Sequence, residues 1–404
     1  MANTRVTNPV TDFDKTNTTQ GLKLPSGTNA NQPSGVQGMI RNDTGETTGS
    51  SASAIEHHNG TAWQYFAATE SPDNPFLASQ NFNTVLYTGT GVSNPITGVG
   101  FQPDLVWIKA RNTGYNHRLF DSVRTLNGRI ESNTTAAEVS TTQFDNFASF
   151  DSNGFTLGVT SSTNGSNFSG EPFVAWCWKA GGAAVANTDG DITSQVSANV
   201  AAGFSIVSWS GDGSDMDIGH GLDAAPEMVI RKNLISSVDW MVDTSVIDGS
   251  WDYLKLNTTG SKTNHTYVQS PTSTVFNTMG ANYNSSGMIA YCFHSVPGYS
   301  KIGSYIGNGS TSTGKTIDLG FEPAFIVIKN TTTTGSSSGW FMIDNKRNTS
   351  DPWDKYIFAN NNAAEGTTTQ SLTSVGATSF TVKSSGRAIN YLGDNYIYMA
   401  FATS

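Results

Sequence analysis

Pro323-Ala-Phe-Ile-Val-Ile-Lys329 is the stretch that decides how this chain folds. Proline fixes φ and has no N–H to give a ladder, so it suits the first residue of a strand. Side chains alternate along a strand, which puts Phe325 and Val327 on one face and Ile326 and Ile328 on the other. Both faces are apolar, so the run reads as a central strand covered on each side. Lys329 is expected to end it at a solvent edge. The same run is written twice more, as Pro103-Asp-Leu-Val-Trp-Ile-Lys109 and Pro226-Glu-Met-Val-Ile-Arg-Lys232.

Working outward, three further markers accompany each run in the same order. An aromatic-led Gly-x-Gly lies upstream: Tyr87-Thr-Gly89-Thr-Gly91, Trp209-Ser-Gly211-Asp-Gly213 and Tyr305-Ile-Gly307-Asn-Gly309. An aspartate marker lies downstream: Leu119-Phe-Asp121, Met241-Val-Asp243 and Met342-Ile-Asp344. A closing run ends each unit: Phe173-Val-Ala-Trp-Cys-Trp178, Met288-Ile-Ala-Tyr-Cys-Phe293 and Tyr398-Met-Ala-Phe401. A period near 100 residues means copies of a whole small domain, not a solenoid of short units. The expected organisation is an N-terminal segment over 1–80, repeats over 81–180, 203–297 and 298–404, and a linker over 181–202, flexible in its Gly- and Ala-rich first half.

The remaining runs are short, β-branched and aromatic, and turn clusters separate them. The fold expected is all-β: three tandem β-sandwich-like repeats of a jelly-roll or lectin-like kind after a small N-terminal β-hairpin segment. Asn133–Glu138 and Asn361–Glu365 read as single helical turns. In the N-terminal segment, Asn59-Gly60 is a two-residue hairpin signal, because a type I′ turn needs φ > 0 at both central positions. A segment with so little core calls for a partner chain or neighbouring domain.

Charged residues make up 13% of the 404 and the net charge is −10. Phosphate binding needs concentrated Lys and Arg, so nucleic acid is excluded as a partner. No apolar run reaches the length of a membrane helix, and Met1-Ala-Asn-Thr-Arg-Val-Thr7 has no signal core. Cys177 and Cys292 occupy matching places and read as small buried side chains, with Ala400 in the third copy.

No catalytic, cofactor or metal site is expected. Asp121, Asp243 and Asp344 recur without a recurring acidic or histidine partner, so they read as acceptors in turns. Glu138 and Glu365 recur in two copies only. Asp189, Asp191, Asp212, Asp215 and Asp217 offer oxygens, but not at the spacing of a calcium loop. His57, His58, His117, His220, His265 and His294 fit no metal motif. The Gly-x-Gly markers read as turns or bulges, lacking the lysine and helix of a phosphate loop. Among aromatics that could stack on sugars, Trp240 and Trp340 read as core. Trp251 and Trp353, in turn-rich surroundings, are the weak receptor-binding candidates.

The stretches Phe82–Gly89, Gly100–Lys109 and Phe173–Ala180, with Ile289–Ser295, Gly298–Tyr305 and Tyr396–Phe401, resemble a family of virion proteins of marine tailed phages that infect cyanobacteria and ocean heterotrophs. The likeness covers roughly residues 80–404. Gly38–Thr44 and His58–Trp63 resemble a β segment of phage tail-fibre and appendage proteins. The resemblance implies a structural or tail-fibre-like role without catalytic residues, in a virion assembled in the host cytoplasm. Its implied partners are other virion proteins through residues 1–80, the chain itself as a homotrimer, and a host surface glycan or protein. A capsid, neck or head-fibre decoration without a receptor is the alternative. A polysaccharide depolymerase is disfavoured, because no convincing acid pair is present.

Overall fold

The computed structural model describes residues 76–402 except 125, 127, 141–146, 161–164, 267, 279, 281–282 and 370–371. It also describes four strands of the preceding segment: Ser26–Gly27, Ile40–Asp43, Ala54–His58 and Trp63–Tyr65. These four form one sheet in chain order. The expected hairpin is there, but His58 pairs with Trp63. Four residues therefore separate its strands instead of two. Asn59 and Gly60 lie outside the described residues.

From residue 77 on, the fold is all-β, with antiparallel sheets repeated three times. Repeat one has a main sheet in the order opening strand Phe82–Thr88, closing strand Pro172–Trp178, proline strand Leu105–Ala110 and aspartate strand Arg118–Asp121. Repeat two has the same order: Phe204–Trp209, Met288–Phe293, Met228–Asn233 and Met241–Thr244. So does repeat three: Ser300–Ile306, Asn395–Phe401, Phe325–Asn330 and Trp340–Asp344. A smaller sheet packs over one face of the main sheet. In repeat one, Ile96, Phe147, Phe155 and Leu157 of the small sheet meet Val106, Ile108, Phe120 and Cys177 of the main one. Both cysteines are free and fully buried, as expected.

The other face of each main sheet is apolar too, and the sequence could not say what covers it. The repeats cover each other. Trp107 of repeat one, Met228 and Ile230 of repeat two, and Val327 and Met399 of repeat three surround a void of about 20 Å3. Below it, Phe82 packs on Trp178, Phe325 and Phe401, with ring centroids 5.0 to 5.4 Å apart. Phe293 meets Phe401 at 6.1 Å. Each such side chain contributes about 1.5–3 kcal/mol by leaving water.

The ring closes through bonds that repeat in cyclic order. The backbone N–H of Glu138 donates to Leu234, that of Lys262 to Thr331, and that of Glu365 to Arg111, at 2.7 to 2.9 Å. Each acceptor lies two residues past a marker lysine. A ring nitrogen at the foot of each aspartate strand crosses the same seam: Trp240 to the Glu131 carbonyl at 2.9 Å, Trp340 to that of Lys255 at 3.0 Å, and His117 to that of Phe358 at 3.0 Å. His117 Nδ1 accepts from Trp107 Nε1 at 2.8 Å, so Nε2 carries the proton. The segments around Glu138 and Glu365 are not helical turns. They run extended into the seams, where their backbone finds partners in the next repeat.

Three other expectations change. Residues 181–202 are no linker: Val185–Asn187 and Ser194–Asn199 add two strands to the edge of the repeat-two sheet. Nor do the marker lysines reach solvent. Lys109, Lys232 and Lys329 are 0–1% exposed. Lys232 Nζ donates to the Thr135 carbonyl of repeat one, and Lys329 Nζ to the Gly260 carbonyl of repeat two. Burial pushes Lys109 and Lys232 down to about 8 and Lys329 to about 7. Finally, the aspartate marker is not equivalent in repeat two. Leu105 pairs with Asp121 and Phe325 with Asp344, whereas Met228 pairs with Thr244. Asp243 therefore sits one residue out of step, on the opposite face of its sheet.

Candidate functional site

The strand directions give each repeat two distinct ends. Thr88 pairs with Pro172, and Phe173 with Ala110. The Gly-x-Gly, the end of the proline strand and the start of the closing strand therefore share one end, here the loop end. The opposite, stem end holds the aromatic cluster, the links between repeats, and residues 82 and 401, where the chain comes in and goes out.

The loop end is built on a fifth recurring element, absent from the sequence reading. It is Asn167-Phe-Ser-Gly170, Asn284-Ser-Ser-Gly287 and Asn390-Tyr-Leu-Gly393. Its glycines take φ of +81°, +79° and +81°. That is the left-handed value wanted at the third position of a type II turn. Its asparagines are buried. Their carbonyls accept from the second glycine of the facing Gly-x-Gly: Gly91 to Asn167, Gly213 to Asn284 and Gly309 to Asn390. The Asn390 amide adds bonds to Asn308, Ser310, Val382 and Ser384. A Cβ on Gly89 would stand 2.1 Å from the Phe168 carbonyl, and one on Gly307 would stand 2.2 Å from that of Tyr391. The Gly-x-Gly segments leave the opening strands without a helix and are pinned against the asparagine turns.

This end also carries exposed apolar tips. Among the described residues eleven large apolar side chains are exposed. Six belong here: Val92, Val159, Ile235, Ile306, Tyr391 and Leu392. Tyr391 is the one aromatic among the eleven. Arg387 lies over its ring at 4.0 Å and pairs with Asp394 at 2.9 Å. Beneath it, burial pushes Tyr396 up to about 12, and its hydroxyl accepts from the Tyr391 N–H at 2.8 Å. The sequence candidates lie elsewhere. Trp251 and Trp353 are each 6% exposed, and Trp251 packs in the repeat-two core. An indole so covered cannot stack on a sugar. Trp240 and Trp340 are core, as expected.

The acidic markers hold the seams. Asp121 and Asp344 each accept turn N–H bonds and pair with an arginine three residues on, Arg124 at 2.6 Å and Arg347 at 2.5 Å. Each also accepts from a neighbouring repeat: Tyr291 to Asp121 at 2.8 Å and Trp176 to Asp344 at 3.1 Å. Glu138 binds Arg124 at 2.7 Å, and Glu365 binds Arg111 at 2.9 Å. Asp243 instead points into its own core, where Arg231 grips it through two nitrogens and His265 reaches it at 2.7 Å. Burial alone would raise that carboxyl, but the charge of Arg231 and the His265 bond hold it below the usual range. Asp191 and Asp217 are tied to each other through the Asp217 N–H, and Asn277 bonds Asp215 and Asp217. Among the described residues no three His, Cys, Asp or Glu side chains gather as a metal-holding group.

No curated protein and no solved structure matches this sequence. Residues 77–404, the span that forms the ring, match a family described as "Domain of unknown function (DUF7483)", and the chain belongs to that family.

Proposed function

We propose that this chain is a structural protein of a phage virion, a tail fibre or appendage. In this reading it joins the particle by its N-terminal segment, meets the host surface with its loop end, and catalyses nothing. The observation that carries it is the polarity of the ring. The chain comes in and goes out at the stem end, while rigid turns with exposed apolar tips, drawn from all three repeats, gather at the other. Binding surfaces are commonly loops held on a stiff scaffold, and several weak contacts add by avidity. The likeness of residues 80–404 to virion proteins of marine tailed phages supports the same reading. A jelly-roll or lectin-like kinship of each repeat, and trimer formation through residues 1–80, belong to this proposal.

Gold-tagged antibody to the chain, imaged on virions, tests it. Label at the tail or its fibres is the expected result. Label over the head or neck would replace it with decoration, and label on no particle would remove the virion reading.

A further inference from the structure

We infer that the loop end of repeat three holds a subsite for one pyranose ring of an uncharged glycan, with Tyr391 as its platform. The inference rests on the loop end being the contact surface, and it names the chemistry of the partner. Tyr391 is 38% exposed, flanked by Leu392 and Ile306 at 70% and 59%. A pyranose has a C–H face and a rim of hydroxyls, which needs an aromatic face with amides and hydroxyls around it. Thr332, whose Oγ1 accepts from the Asn395 N–H and keeps its O–H to give, and the side chain of Asn395 at the start of the closing strand supply those groups, both exposed at the same end.

Charge selects among glycans. Arg387 covers one face of the ring and so leaves the other to a sugar, and Asp394 already neutralises that cation. The site offers no net positive charge to a uronate, a sialate or a phosphate. It is also built before any ligand arrives. The Asp394 N–H closes the turn on the Tyr391 carbonyl at 3.2 Å, and Gly393 N–H and Gly307 carbonyl join it to the facing loop at 2.9 Å. Little ordering remains to be done on binding. The other repeats lack the platform. Phe168 is partly buried with Tyr115 edge-on to it, and repeat two has Ser285 and Ser286 there. Among the described residues there is thus one such subsite.

Saturation-transfer NMR on the full chain, with oligomers of glucose, mannose and galactose, an oligogalacturonate and phosphatidylcholine vesicles as probes, tests it. The expected result is transfer to the ring C–H protons of a neutral oligomer. Tyr391→Ala should weaken it by about tenfold or more, and Tyr391→Phe should keep it. Unchanged circular dichroism would show that both variants fold. Silence from every neutral oligomer, equal binding by Tyr391→Ala, or preference for the uronate or the vesicles would each overturn the subsite. Tail label without glycan binding sinks the subsite alone. Glycan binding without label on any particle sinks the virion reading alone.

Discussion

The three marker lysines carry the clearest consequence at the scale of single residues. Each is buried against carbonyls, and burial lowers its pKa to about 7 or 8 in the fold against 10.5 for an unburied lysine. Between those values the unfolded chain holds more protons than the folded one, so stability rises with pH through that window. His117, held well below 6.5 by burial and by the charge of Lys109, acts in the same sense in acid. The opposite pull comes from thiols and phenols. Burial raises Cys177, Cys292, Tyr291, Tyr299 and Tyr305, so stability falls once the unfolded groups ionise near 9 and 10. Urea midpoints should therefore rise from about pH 6 to pH 8.5, before the thiols and phenols titrate, and Lys329→Met should flatten that rise. Midpoints that fall steadily from pH 6 would contradict the burial of these amines.

At the scale of elements, repeat two shows what one residue of register does. Asp243 faces a core in which repeats one and three place Phe120 and Ile343. Its cation comes from Arg231, where the others have Ile108 and Ile328, because Val246 stands three residues on instead of an arginine. Removing one partner leaves a buried charge. Asp243→Ala should cost about 3–5 kcal/mol, while the double change Arg231→Ile with Asp243→Val should be neutral or stabilising, by up to about 4 kcal/mol. Chemical denaturation of both variants decides it, and equal losses would show the pair to be worth more than its desolvation. Asn390→Ala, which strands several buried partners at one turn, should cost about 2 kcal/mol or more by the same measurement.

The same elements show what could be read beforehand. The proline and closing runs announced themselves by apolar content, and both faces of the proline strands were rightly expected to be covered. What covered them was invisible, so lysines at strand ends looked solvent-bound when a neighbouring repeat was waiting. Matching Asp243 by type rather than by alternation set it on the wrong face. The Asn-x-x-Gly turns were present in plain letters, but Asn and Gly are so common in this chain that the spacing hid. Tyr391 drew no notice beside nine tryptophans. Its exposure follows from the turn, not from its neighbours in sequence.

At the scale of the whole molecule, no repeat is complete alone. A chain of residues 299–404 would expose Phe325, Val327, Met399 and Phe401, a contiguous apolar face that marks association or aggregation. It should be insoluble or oligomeric in sedimentation, whereas 77–404 should unfold in one calorimetric transition. A monomeric, cooperatively folded single repeat would refute the mutual covering. The seams are also unequal. Met399 and Thr244 stand where Trp176 with Asp344, and Tyr291 with Asp121, make a bond in the other two. The seam between repeats one and three, which no peptide link crosses, has the bidentate Arg111–Glu365 pair instead.

Phe82 and Phe401, in the first and last strands of the unit, stack at 5.3 Å. A body whose two ends lie side by side can be spliced into a surface loop of an unrelated carrier as readily as it can ride at a tip. The recipient need only open by the width of two strands. Such a body has the geometry of a cassette, one that a carrier protein could receive without having to refold around it.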